Sequence, residues 1–172
     1  MNDATPPAPS VRLDLPTPET TAALARWLAP RLAAGDAILL EGPIGAGKSH
    51  FCRSLIQARL AQLGRMEDVP SPTYTLVQVY ELDGVEIWHA DLYRLTAAED
   101  AAELGLDQAF EQAICLVEWP DRLGDTAPET ALRVDLAPGA DPMARSARIS
   151  ARSPRWRPIL DGLAAGEWRR HD

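Results

Sequence analysis

Residues 42–49 read GPIGAGKS, a grouping of glycines, a lysine and a hydroxyl suited to holding phosphate groups. The glycines let the backbone wrap closely around anionic oxygens with successive N–H groups turned inward. Gly42, Gly47, Lys48 and Ser49 fill every fixed position of the pattern G-x-x-x-x-G-K-[ST]. Gly42, Ile44, Gly45, Ala46, Gly47, Lys48 and Ser49 therefore form the candidate phosphate cradle, with Ser49 offering a hydroxyl to Mg²⁺. Lys48 is the only lysine in a chain that carries 16 arginines. A compact ammonium on a flexible stem can follow the β- and γ-phosphates, whereas a planar guanidinium is bulkier and rigid. A helix starting at the loop adds its positive end, worth up to about 2 kcal/mol for a well-placed anion.

Such a cradle needs carboxylates on its metal side, and two acids stand at strand ends. Glu118 follows the apolar run Ile114–Val117, and Asp91 closes the run that starts at Val85. Both are expected at the carboxyl edge of a sheet, where open α/β folds bind their ligands. One would hold Mg²⁺ and the other orient or deprotonate an attacking water; spacing does not say which. No N-K-x-D segment is present to read guanine, and Asp121–Gly124 imitates D-x-x-G but reads as a turn.

The elements that must position these groups follow from patterning. Thr17-Pro18 opens a helix, with a hydroxyl cap and a proline at its first position. Leu24, Trp27, Leu28, Arg31 and Leu32 recur at helical spacing up to a stop at Gly35. Ala37–Leu40 is a continuous apolar run, as in a strand buried on both faces. After the loop, Phe51, Cys52, Leu55, Ile56, Leu60 and Leu63 mark a second helix ending near Gly64. Thr75–Glu81 and Val85–His89 flank Asp83-Gly84, a strong hairpin signal. A short acidic helix spans 97–104, and strands are expected at 113–117, 131–136 and 147–151. Helices alternating with strands, plus one hairpin, predict a three-layer α/β domain with a mixed sheet.

The chain of 172 residues suits one domain, divided here into a disordered tail (1–10), a nucleotide-binding domain (11–152) and a C-terminal extension (153–172). No apolar run approaches a membrane span, and MNDATPPAPS lacks the pattern of a secretory signal. Cys52 and Cys115 sit in apolar segments as core thiols, consistent with a reducing cytoplasm. The net charge of −8 is uneven: residues 144–172 hold seven arginines against three acids, and the rest is acidic. That acidic body argues against direct nucleic-acid binding, and the basic end reads as a solvated tail with one short helix.

Four blocks together, GPIGAGKS, SPTYTL (Ser71–Leu76), HADLYRL (His89–Leu95) and ICLVEWPDR (Ile114–Arg122), resemble the TsaE family, also called YjeE. The resemblance covers about Val11 to Ala151, and the second and third blocks make it specific. It implies a P-loop NTPase fold and a weak, partner-dependent ATPase with ATP and Mg²⁺ as ligands. It also implies docking on a TsaD–TsaB complex that threonylcarbamoylates adenosine 37 of tRNAs reading codons that start with A. Most tRNA contacts would then belong to the partners. Carried over, Lys48, Asp91 and Glu118 are catalytic, and Ser49, Asp91 and Glu118 are the metal set. Thr73 and Thr75 would sense the γ-phosphate from a switch-like segment. Trp119 lines the nucleotide or partner surface or simply packs, His89 is structural or shuttles protons, and Tyr93 and Arg94 brace Asp91. The chain departs from the family at His50, where a second small hydroxyl residue is usual, and at Pro43-Ile44, where proline removes a backbone donor. A small-molecule kinase and a nucleotide-gated binding module are the alternative functions.

Overall fold

The computed structural model describes residues 4–171. Two strands, β2 (Ala37–Glu41) and β5 (Ile114–Glu118), are nearly or wholly buried along their length and lie parallel at the centre of a seven-stranded sheet. Continuous apolar sequence is what a strand covered on both faces requires. The sheet is completed by β1 (Ser10–Leu15), β3 (Val77–Leu82), β4 (Val85–Asp91), β6 (Leu132–Pro138) and β7 (Arg145–Ser150), in the order β1-β7-β6-β2-β5-β4-β3. Strands β6, β2, β5 and β4 run parallel, while β7, β1 and β3 are antiparallel additions at the two edges. This is the mixed α/β architecture predicted from the alternation of elements.

One face of the sheet packs on α1 (Pro18–Leu28), α2 (Lys48–Gln62) and α5 (Arg157–Ala164) in a core that includes Trp27, Phe51, Ile38, Leu40 and Leu116. The other face packs on α3 (Ala98–Glu103) and α4 (Leu106–Gln112) through Leu39, Val117, Cys115 and Leu106. Neighbouring strand residues Ile38, Leu39 and Leu40 thus divide between two cores, as the period of two demands. The helix opened by Thr17 forms with a reciprocal cap: Thr17 Oγ1 accepts from Thr20 N, and Thr20 Oγ1 accepts from Thr17 N. The Asp83-Gly84 turn has positive φ at both residues, 38° and 89°, matching the twist of the β3–β4 hairpin.

The ends of the chain differ from expectation. Ser10, counted with the tail, begins β1, and Pro9 O accepts from Ala151 N. Residues 1–3 of that expected tail lie outside the described residues. The stretch 153–172 is no separate, solvated extension over its described part. Trp156, Ile159, Leu163 and Trp168 are buried in the same core as α1 and α2. Arg155 donates through Nε and Nη2 to the two carboxylate oxygens of buried Asp36, at 3.2 and 2.7 Å. The physical reason is that the C-terminal turns pack on the Trp27 indole of α1, closely enough that Gly162 has no room for a side chain beside it. Two elements, β1 and α4, are additional to the predicted set.

Candidate functional site

The parallel strands deliver Glu41, Asp91 and Glu118 to one edge of the sheet, with Asp91 and Glu118 as register partners. The loop 42–47 leaves β2 at this edge and enters α2 at Lys48. Gly42 has a φ of 148°, and a Cβ there would clash with the Leu136 carbonyl oxygen, so only glycine passes beside β6. Gly47, at φ 99°, turns the chain into α2. Pro43, the residue that removes a donor, serves through its carbonyl, which accepts from Ala46 N at 3.1 Å and from Lys48 Nζ at 3.0 Å.

Lys48 is 5% exposed. Its ammonium donates to Gly42 O at 2.5 Å and Pro43 O, and stands 4.3 Å from the centre of the Trp119 ring. Burial lowers its pKa, and the charges of Glu118 and Asp91 oppose that shift. Ser49 Oγ donates to Glu118 Oε1 at 2.8 Å. The Asp91 carboxylate accepts from Tyr93 N at 3.1 Å and, more weakly, from Thr73 Oγ1 at 3.5 Å. Burial pushes the Asp91 pKa up, the Tyr93 hydrogen bond pulls it down and the Glu118 charge raises it. Desolvating two neighbouring carboxylates is unfavourable without a cation, and Lys48 alone does not neutralise both.

These groups line a cavity of about 410 Å³, walled by Ile44, Lys48, Ser49, Thr73, Glu118 and Trp119 among others. Trp119 adopts a left-handed backbone, φ 58° and ψ 53°, which turns its ring over Lys48 and against Tyr93, 4.9 Å between ring centres. A bulky residue held there stores strain of the kind found at functional sites. A larger cavity of about 640 Å³ runs beside β6 and β7, but its three acids and three arginines balance, and it contains none of the loop.

The sequence-predicted residues divide. Ile44, Gly45, Gly47, Lys48, Ser49, Thr73, Asp91 and Glu118 meet at the cavity. Gly42 and Ala46 support it from behind, through the Lys48 contact and by burial. Thr75 lies outside the lining and accepts from Gln78 Nε2 at 3.0 Å. Arg94 stacks on exposed Tyr74, 4.5 Å from its ring centre. His50 turns its ring away to Pro18 O, 2.9 Å distant, and joins α2 to the start of α1. Sequence reasoning missed Arg145, whose Nη2 donates to Gly45 O at 2.9 Å from the first residue of β7. Its only signal was the order of strands, which places the end of β6 beside the loop.

Fold and loop together define an α/β protein of the phosphate-loop class. The chain belongs to the TsaE family: the family model described as "Threonylcarbamoyl adenosine biosynthesis protein TsaE" matches residues 15–147. Among curated relatives, the tRNA threonylcarbamoyladenosine biosynthesis protein TsaE of Rickettsia felis is 40% identical over 103 residues, 60% of this chain and 58% of the relative. Its Bacillus subtilis counterpart is 34% identical over 125 residues, 72% of this chain and 75% of the relative. The crystal structure of Bacillus subtilis YdiB superposes with a TM-score of 0.73 at 25% identity, covering 98% of this chain and 99% of that one.

Proposed function

We propose that the protein is a Mg²⁺-dependent ATPase subunit required for threonylcarbamoylation of adenosine 37 in tRNAs reading codons that start with A. It acts in the cytoplasm with a TsaD–TsaB complex. The observation that carries this reading is the convergence of Lys48, Ser49, Asp91 and Glu118 on one cavity from the loop and two strand ends. Family membership supplies the pathway. Among the described residues no helix is long and apolar enough to cross a membrane.

ATP enters with its phosphates along the 42–49 loop. Lys48 exchanges the carbonyls of Gly42 and Pro43 for β- and γ-phosphate oxygens, and the first N–H groups of α2 face the same anion. The donor set of one hydroxyl and two carboxylates is hard and anionic, which fits Mg²⁺. Ser49 and Glu118, already hydrogen-bonded to each other, are the groups that would hold the ion. When bound, Mg²⁺ would supply neutralisation of the phosphate charge. Asp91, fixed by Tyr93 N, orients the attacking water beside Thr73. Trp119 and Ile44 shield the phosphates from bulk solvent.

The experiment is reconstitution of tRNA threonylcarbamoylation by TsaD and TsaB with and without this chain. Lys48→Ala should lower the hydrolytic rate by about 10²- to 10³-fold, as loss of one preorganised electrostatic stabiliser does, and abolish multiple turnovers. Full activity of Lys48→Ala would overturn the nucleotide mechanism. Multiple turnovers by Glu118→Ala, or with a non-hydrolysable ATP analogue, would instead establish a nucleotide-gated module.

A further inference from the structure

His89 does not line the phosphate cavity, yet it is 1% exposed and lies two residues before Asp91 on β4. Its Nε2 stands 2.8 Å from Glu118 Oε2. The other carboxylate oxygen, Oε1, accepts the Ser49 hydroxyl, also at 2.8 Å. Glu118 is itself 2% exposed, and each of its two oxygens has one of these side chains as its partner. His89 Nδ1 has no hydrogen-bond partner among the described residues. The tautomer that satisfies the network therefore carries its proton on Nε2 and donates to Glu118. Cys52 completes the enclosure: one ligand-type atom from each of Cys52, His89 and Glu118 lies within 4.8 Å of the others. Burial pushes the Cys52 thiol well above its ordinary pKa, so Cys52 contributes a neutral wall and no charge.

We propose that His89 is a positioning residue for Glu118: its Nε2–H fixes Oε2 and thereby aims Oε1 at Ser49 and the phosphate loop. The inference rests on the ATPase reading. Were the Ser49 hydroxyl given over to a metal ion, His89 would be the protein donor left to fix the Glu118 carboxylate against rotation about its side-chain torsions. Partners standing behind a ligating group in this way typically change affinity or activity by about 10- to 100-fold.

Three variants separate positioning from bulk. His89→Leu keeps volume without a donor, His89→Gln places an N–H donor where Nε2 stands, and His89→Asn keeps a donor too short to reach Glu118. Crystal structures of the variant proteins should show the Glu118 carboxylate rotated in the Leu and Asn variants and held in Gln. The hydrolytic kcat should fall about 10- to 100-fold in Leu and Asn and recover most of that loss in Gln. The Kd for a fluorescent ADP analogue without Mg²⁺ should stay within about threefold throughout, because phosphate binding belongs to Lys48 and the loop amides. An unmoved Glu118 in the Leu variant, or equal impairment of Leu and Gln, would overturn the inference. If the wild-type protein neither binds nor hydrolyses ATP, the proposed function fails by itself, and the crystallographic pose of Glu118 still decides the role of His89.

Discussion

The ammonium of Lys48 stands 4.3 Å from the centre of the Trp119 ring while donating to the carbonyls of Gly42 and Pro43. An ammonium so placed is attracted by the face of the indole, an interaction worth about 0.5–2 kcal/mol depending on solvation. It also alters the indole's electronic surroundings, so the ring reports the position of the charge. Adding ATP should draw the ammonium to the phosphates and change the fluorescence of Trp119. Trp119→Phe should bind ATP and remove that change, although four other tryptophans still emit. A signal that survives in Trp119→Phe would place the reporter elsewhere.

Glu41 ends the strand that carries the loop and is the register partner of Asp135 on β6. Burial raises the Glu41 pKa above its ordinary value, and the hydrogen bond and charge of Asp135 raise it further, against the pull of Arg133. A folded-state pKa above the unfolded one means that the folded protein keeps the proton longer. The stabilisation is complete below the unfolded value and is lost as pH rises through the folded value. Glu41→Gln should therefore melt at a higher temperature than wild type at pH 7 and at the same temperature at pH 3. Thermal melts across that range measure it.

Gly42→Ala should be damaging twice over. The added methyl meets the backbone oxygen of Leu136, which cannot rotate aside. Overpacking of this kind costs about 1–3 kcal/mol, and the relief available is displacement of the loop. Urea denaturation and ATP titration should both show the loss.

The C-terminal turns belong to the folding unit. Ending the chain at Ser153 removes Trp156 and Trp168 from the core around Trp27, and the remainder should not unfold cooperatively. Arg155→Ala is the gentler test. It leaves buried Asp36 with the Ala33 N–H as its hydrogen-bond donor among the described residues, and should destabilise by about 1–3 kcal/mol in urea melts.

The meeting of the loop, Asp91 and Glu118 at one sheet edge was readable because the loop's residue types stand at fixed spacing, and because buried strands announce their ends. The central strands and first two long helices were readable for the same reason of continuous periodicity. Edge strand β1 buries only Leu13 and Leu15, and α4 spans two turns, so neither offers a period long enough to recognise. At the C-terminus Trp156, Leu160 and Leu163 do recur at helical spacing, but the flanking arginines and prolines at 154 and 158 give the stretch the composition of a solvated tail. The partners of His50 and Arg145 depend on which elements become neighbours, which no local pattern encodes. Pro43 was counted for the donor it lacks, and its use as an acceptor emerges only in three dimensions.

Trp119 occupies a backbone region that glycine enters freely and tryptophan enters at a cost of about 1–2 kcal/mol. Folding and function therefore select in opposite directions at this one position. A library randomised at 119 and sorted for thermostability should enrich glycine and asparagine. The same library sorted for growth that depends on the modified tRNA should return aromatic residues. The difference between the two winners would measure, in the currency of selection, what the ring contributes once the strain of placing it is removed.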